Sequence, residues 1–324
     1  MKSKKWKAII GMVLILAMSI TGCGNGDSKN EVNIGYFNNI THSQALWMKS
    51  QGTLEESLGE ELNLKWTAFN AGPAEVEALF SGDIDMGYIG PVPAVSANVK
   101  SNGDVVVLTG ATQGGEVLVA RADAGIESVA DLSGKVVAIP QIGNTQHISL
   151  LQLLSSNGLK PVTEGGDVTV TAVTNADVGN MLDRGDIDAA LVPEPWGATL
   201  AEKGAKLVLG AEDIYMNGEY NTAVVVVRKE FLEKNPEIVE KFLEAHGMAT
   251  DAINNNKDEA LKIINEELKN ATGKQLGDDI IKSAFERIVV TDQLNKESVL
   301  GFAQLSLEQE FIKAIPEEAN LFTE

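Results

Sequence analysis

Hydrophobic positions along the chain fall into two interleaved patterns. Short β-branched or aliphatic runs at 31–36, 64–69, 86–89, 105–108, 117–121, 136–139, 168–173, 189–192, 206–209 and 222–227 read as strands. Helical spacing fills the intervals. The stretch 43–58 carries apolar residues at Ala45, Leu46, Met48 and Leu54, and 73–81 opens on a proline, which suits a first helical turn. Past Lys229 the chain turns to nearly continuous amphipathic helix, at 238–253, 258–270, 279–287 and 296–312, a tail expected to pack on the first half of the molecule. Strands alternating with helices predict an α/β protein with parallel layers.

One segment recurs about a hundred residues later. Ala78-Leu79-Phe80-Ser81-Gly82-Asp83-Ile84-Asp85, a short apolar strand and Gly90-Pro91-Val92-Pro93 are echoed by Met181-Leu182-Asp183-Arg184-Gly185-Asp186-Ile187-Asp188, Ala189-Ala190-Leu191-Val192 and Pro193-Glu194-Pro195-Trp196. In both copies a helix stops at a glycine, a strand follows and a proline opens the next helix. Two similar lobes follow from this, and a mature chain of roughly 300 residues is more than one core usually serves.

The N-terminus changes the picture of where the chain works. Lys2, Lys4, Lys5 and Lys7 precede an apolar run, 8–20, that ends in Ile20-Thr21-Gly22-Cys23. A run this short falls below the ~20 residues a hydrocarbon core requires, and charged-then-apolar is the pattern of an export signal. Its end resembles a bacterial lipobox, which implies that residues 1–22 are a signal peptide and that Cys23 becomes an acylated N-terminus. Cys23 is the chain's one cysteine, so an intrachain disulfide is impossible. The small polar stretch 23–30 reads as a flexible tether. The formal charge is −20, from 26 basic and 46 acidic residues, and becomes −24 without the four signal lysines. No Lys/Arg stripe stands against that acidity, which argues against nucleic acid as a partner.

The residues that carry a family likeness are Asn33-Ile34-Gly35-Tyr36-Phe37 with Thr41-His42-Ser43, the segment 78–93, Asp131-Leu132-Ser133-Gly134-Lys135-Val136, Pro140-Gln141-Ile142-Gly143-Asn144-Thr145-Gln146 and Pro193-Glu194-Pro195-Trp196. In order and spacing they resemble the nitrate/sulfonate/taurine family of periplasmic-type binding proteins over nearly the whole mature chain. The resemblance implies the type II two-lobed fold, with a hinge of two crossovers and a ligand cleft between lobes. The crossovers are expected near 109–116 and 214–221, giving lobe 1 as 31–112 plus 221–324 and lobe 2 as 113–220. It also implies a monomer that passes its solute to an ABC permease and, through it, to an ATPase.

The candidate site follows from strand ends. In an open α/β sheet the crevice lies outside the carboxyl ends of the strands, where helix N-termini present unpaired N–H groups and positive dipole ends. The loops 38–43, 90–93, 141–146 and 194–196 contain no Lys or Arg, so an oxyanion there would be held by neutral donors. The candidate ligand residues are Tyr36, Asn38, Asn39, His42, Gly90, Pro91, Gln113, Gly143, Asn144, Thr145, Gln146, Glu194, Trp196 and Asn221. His42 is a candidate imidazolium donor, Trp196 a candidate apolar wall, and Asn144 and Thr145 fit a helix cap as well as a ligand contact. Glu194 would repel an anion unless it meets an ammonium or hydroxyl group of the solute, or caps a helix outside the pocket. His147 and His246 read as structural, because neither has a second histidine or a cysteine at metal-ligand spacing.

No nucleophile elbow, no Walker-type loop and no cysteine beyond Cys23 are present, so catalysis and a cofactor are not expected. Asp83/Asp85 and Asp186/Asp188, at helix-to-strand turns, read as solvated or turn-capping residues. Loops without cations permit capture of a small anionic or zwitterionic solute, and the resemblance implies an aliphatic sulfonate or taurine-like compound first, with nitrate, a thiamine-precursor pyrimidine or an aromatic acid as alternatives. A ligand-sensing lipoprotein would use the same cleft.

Overall fold

The computed structural model describes residues 31–59 and 62–323. The expected signal peptide 1–22, Cys23 and the tether 23–30 lie outside the described residues. Strands β1 (Glu31–Phe37), β2 (Asn63–Phe69), β3 (Met86–Ile89), β4 (Val105–Gly114), β5 (Glu116–Ala120), β6 (Val136–Ile139), β7 (Thr169–Ala172), β8 (Ala189–Pro193), β9 (Lys206–Leu209), β10 (Asn221–Arg228) and β11 (Ile288–Val290) form two sheets. The first has the order β11-β4-β10-β3-β1-β2, the second β7-β6-β8-β5-β9. Each has a parallel part, β2-β1-β3 and β7-β6-β8, extended by antiparallel strands on one side.

Helices cover both faces of each sheet, which explains why the central strands are apolar without alternation. Along β10, Val225 and Val227 enter a layer with Phe242 and Ile264, while Val224 and Val226 enter the opposite layer with Ala94 and Val299. In the second sheet Leu118 and Ala120 face Leu150 and Leu154, and Val117 and Val119 face Val178 and Leu182.

The chain leaves the first sheet at Gly114 and enters the second at Glu116. Gly114 and Gly115 have φ of 68° and 79°, a left-handed pair that residues with a Cβ adopt poorly. The return runs from Leu209 through the short helix Ala211–Ile214 to Asn221.

The internal echo has a structural basis. Asp85, just before β3, accepts the Asn33 N–H at 2.9 Å and pairs with Arg228 of β10 at 2.8 Å. Asp188, just before β8, accepts the Val136 N–H at 2.9 Å and pairs with Arg121 at the end of β5 at 2.9 Å. In each sheet one carboxylate thus ties a parallel neighbour and an antiparallel neighbour to the same strand. Both aspartates stand at the expected turns, but Asp85 is buried rather than solvated and both reach across strands.

Several elements differ from expectation. The helix expected over 43–58 divides into Ser43–Gln51 and Thr53–Leu58 at Gly52, which is left-handed (φ 66°) and whose N–H caps Met48. β4 continues to Gly114 through the polar residues Thr109, Thr112 and Gln113, because pairing with β10 outweighs the loss of apolar character. The three-residue β11 was not anticipated. The C-terminal helices do not pack on the first half alone. Pro236–Asn255 and Lys257–Thr272 lie on helix Ser43–Gln51, yet Asp278–Phe285 meets Trp196–Glu202, and Lys296–Glu308 meets both Pro91–Lys100 and Thr145–Ser156.

Candidate functional site

The carboxyl ends of the parallel strands of both sheets face one another across a small chamber of about 20 Å³. From the first sheet come Phe37, Asn39, Thr41 and His42 after β1, Asn70–Gly72 after β2, and Gly90 and Pro93 after β3. The second sheet supplies Pro140 and Asn144–Gln146 after β6, Asn175 after β7, and Pro193 of β8. No charged residue lines it among the described residues. Helices or helical turns start at Asn39, Ala71, Gly90, Asn144 and Thr174, so several positive dipole ends converge there. Pro91 and Pro93 lower the contribution of one of them, since neither has an N–H.

The polar side chains at the chamber share an orientation. Asn39 Oδ1 accepts from the Thr41 N–H at 3.0 Å and from Thr41 Oγ1 at 2.6 Å, which leaves its NH₂ group. Gln146 Oε1 accepts from Asn144 Nδ2 at 2.7 Å, and again the NH₂ is left. His42 Nδ1 accepts the Phe37 N–H at 3.1 Å while the ring stacks on Phe37 with centroids 4.3 Å apart. Burial holds the His42 pKa down at about 3, so the ring is neutral and its proton sits on Nε2. In all three side chains the acceptor is consumed within the protein and a donor remains. This corrects the expectation of an imidazolium at His42. Thr145 Oγ1 and the Asn175 amide oxygen are also buried without a protein partner, and both residues line the chamber.

A second internal echo shapes the site. Asn39-Ile40-Thr41-His42 after β1 and Asn144-Thr145-Gln146-His147 after β6 have the same construction. Each asparagine caps the turn behind it, and each histidine accepts a loop N–H on Nδ1, Phe37 for His42 and Gly143 for His147 at 3.1 Å. His147, with a pKa lowered to about 4 by burial, packs edge-on against Phe311 and is structural, as expected. So is His246, which joins Tyr88 Oη and the Gly110 carbonyl.

A larger groove of about 740 Å³ adjoins the chamber and shares Phe37, Asn39, Asn70 and Asn175 with it. Trp196, Phe69, Leu268 and Leu276 give it apolar walls, and Asn38 lies along it.

Of the candidate residues, Asn39, His42, Gly90, Asn144, Thr145 and Gln146 are brought together at the chamber, and Asn38 and Trp196 at the groove. The others are placed elsewhere. Tyr36 is buried in the first core layer against Trp66, with Lys49 over its ring, because strand alternation turns it away from Phe37. Pro91 opens its helix but leaves the cavity wall to Pro93. Gln113 is a sheet residue paired with Asn221 and Val289. Gly143 spends its N–H on His147. Asn221 binds Asn295 N–H with its Oδ1 at 2.7 Å and anchors the loop before helix Lys296–Glu308.

Glu194 is fully buried and both its oxygens are engaged, Oε2 by the Ala198 N–H at 2.9 Å and Oε1 by Arg287 at 2.7 Å. Of the two roles open to Glu194, the structure has the helix cap, not the ligand contact. Burial raises its pKa, and the Ala198 N–H and Arg287 oppose that rise. Residues 70–72 and Asn175 were overlooked, although the rule that selected the loops after β1, β3, β6 and β8 applies equally to those after β2 and β7.

A taurine-binding periplasmic protein of Escherichia coli K12 is 36% identical over 178 residues, 55% of this chain and 53% of that protein. A Bacillus subtilis 168 protein whose name assigns it aliphatic sulfonates is 26% identical over 304 residues, 86% of this chain and 88% of that one. Among solved structures, the alkanesulfonate-binding protein of Xanthomonas axonopodis pv. citri bound to MOPS superposes with a TM-score of 0.73 at 22% identity, over 89% of this chain and 95% of that chain. That likeness bears on the fold, the two-lobed α/β fold of periplasmic binding proteins expected from the sequence. The NMT1-like family matches residues 25–265, about three quarters of the length, and the chain belongs to that family.

Proposed function

We propose that this protein is the extracytoplasmic solute-binding component of an ABC importer and that its solute is an organosulfonate. The observation that carries the reading is the excess of free donors at the chamber, where three side chains keep a donor and one unpartnered amide oxygen, that of Asn175, stands against them. Asn39, His42 and Gln146 each turn a consumed acceptor inward and keep a donor, beside the first two amides of helix Thr145–Ser156, which have no intrahelical acceptor. Such a set fits the oxygens of a sulfonate, and no carboxylate on its wall repels them. The relatives' names, taurine for one and aliphatic sulfonates for another, agree with this class. With Glu194 held by Arg287, no acidic residue lines the chamber or the groove among the described residues, which favours a sulfonate without an ammonium over taurine. The chamber is much the smaller of the two spaces, so in this reading the head alone enters it and the body extends into the groove.

In this reading residues 31–112 with 221–324 and residues 113–220 move as two halves about Gly114–Gly115 and the return near 214–221. A closed pair presents the surface that docks on a permease, and acylation of Cys23 holds the protein at the membrane. The test is a thermal-shift screen of ethanesulfonate, taurine, nitrate and pyrimidines on the chain starting at Glu31. A ligand that binds only the native state raises Tm. Ethanesulfonate should give the larger shift and nitrate none. A shift with nitrate or a pyrimidine and none with any sulfonate would refute the assignment.

A further inference from the structure

The outer groove carries a charge pattern at odds with the rest of the molecule. In a chain with a net charge of −20, the charged residues lining this groove are two lysines, Lys203 and Lys274, with no Asp or Glu among the described residues of its wall. Neither lysine is in an ion pair among the described residues. They also reach the groove from opposite halves. Lys203 follows helix Trp196–Glu202 beside the second sheet, and Lys274 follows helix Lys257–Thr272, which packs on helix Ser43–Gln51 of the first. Lys203 also borders the neighbouring pocket, where its Nζ lies near Gly179; swung into the groove, the two ammonium groups would repel, and closure of the halves would raise that repulsion unless an anion stood between them. Between this rim and the chamber the wall is apolar, with Trp196, Phe69 and Leu276.

From this arrangement we infer that the solute is bifunctional: an organosulfonate with an apolar or aryl body and a second anionic group at its far end, a carboxylate or another sulfonate, held between Lys203 and Lys274. The inference rests on the sulfonate head lying in the chamber. It adds that the far end is recognised, and that recognition there is coupled to closure because the two lysines belong to different halves.

The test compares two probes of the same shape by calorimetry, 4-sulfobenzoate and its uncharged-tail counterpart 4-carbamoylbenzenesulfonate, on the purified protein and on the Lys203→Gln/Lys274→Gln double variant. Two partly exposed ion pairs should make the carboxylate bind about five- to tenfold tighter than the amide in the unsubstituted protein at low salt. The ratio should fall below about twofold in the double variant, and likewise in high salt, where exposed charges are screened. The ratio is the readout because any general effect of the substitutions on the head group cancels in it. Equal affinities in the unsubstituted protein, or a ratio that survives the double substitution, would overturn the inference. If ethanesulfonate binds and neither aryl probe does, the inference fails while the sulfonate reading stands. If no sulfonate binds at all, both fail.

Discussion

Gly90, after β3, faces Thr145, after β6, across the chamber. A Cβ built on it lies 2.3 Å from Thr145 Oγ1 across the chamber, while the next contacts, Thr145 Cβ at 3.4 Å and Pro93 Cδ at 3.6 Å, are ordinary. Its backbone is extended, φ −68° and ψ 154°, which any residue adopts, so alanine brings no local strain. If the two halves close as proposed, the penalty of Gly90→Ala therefore falls on the closed arrangement. To restore normal contact the halves must part by about 1 Å, or Thr145 must turn its hydroxyl out of the chamber. Overpacking of this kind costs about 1–3 kcal/mol, which lowers affinity about five- to 150-fold if the open form is untouched. Calorimetry with the sulfonate that gives the largest thermal shift measures it, with the unliganded Tm as the control for folding. A second variant separates a cross-cleft clash from any other effect. In a Thr145→Ala background the nearest remaining atom is the Thr145 Cβ, so adding Gly90→Ala should weaken binding less than about threefold. Unaltered affinity in Gly90→Ala, or the same penalty with and without the Thr145 hydroxyl, would refute the proposition that closure brings Gly90 onto Thr145.

Three further outcomes follow from named groups. His42→Ala should weaken sulfonate binding by the same factor at pH 5.5 and pH 8, because a ring with a pKa near 3 donates as neutral Nε2–H throughout; a deficit that grows on acidification would restore the imidazolium. Trp196→Ala should weaken an arylsulfonate about tenfold while the protein stays folded, and an unchanged Kd would remove the indole from the groove. Glu116, buried where the chain enters the second sheet, accepts from Ser149 Oγ and Tyr220 Oη at 2.9 Å each, and burial raises its pKa from 4.5 to about 7. Between those values the folded carboxyl holds a proton that the unfolded one has lost, so its contribution to stability falls as pH rises from about 4.5 to 7. Glu116→Gln keeps an acceptor and removes that titration. The buried histidines act in the opposite direction, losing stability as pH falls from 6.5 toward 4, so the readout is the difference in urea midpoint between the variant and the unsubstituted protein. The difference should grow in favour of Gln up to pH 7 and then level off, and a flat difference would contradict the assignment.

Much of this protein was legible in its sequence because its central strands are buried on both faces and so read as uninterrupted apolar runs, while the half-buried edge strands still carry enough β-branched and aliphatic residues to be placed. Met86–Ile89, Val136–Ile139 and Lys206–Leu209 lie where the pattern puts them. The pattern failed where partners rather than composition decide. The polar end of β4 is strand because β10 lies beside it, and Ile288–Val290 is strand because β4 offers an edge. In the candidate site, loop membership was readable and side-chain direction was not. Tyr36 and Phe37 are adjacent, and only strand register against β2 and β3 sends one to the core and the other to the chamber. Glu194 lies in the right loop, but its partner Arg287 is 93 residues away, a pairing that local sequence does not announce. The repeated Asn-x-x-His after β1 and β6 was a legible signal that went unread, since it marks equivalent loops in the two sheets.

The central claim is that neutral donors at helix starts, not charged side chains, hold the solute's anionic head. A crystal structure with ethanesulfonate bound tests it most directly. The account predicts sulfonate oxygens at about 2.7–3.1 Å from the Thr145 and Gln146 amides and from the Asn39 or His42 donors, with no lysine or arginine nitrogen in the first contact layer. A sulfonate bound instead against Arg287, Lys203 or Lys274, with the chamber among Asn39, Gly90 and Thr145 left to water, would contradict it.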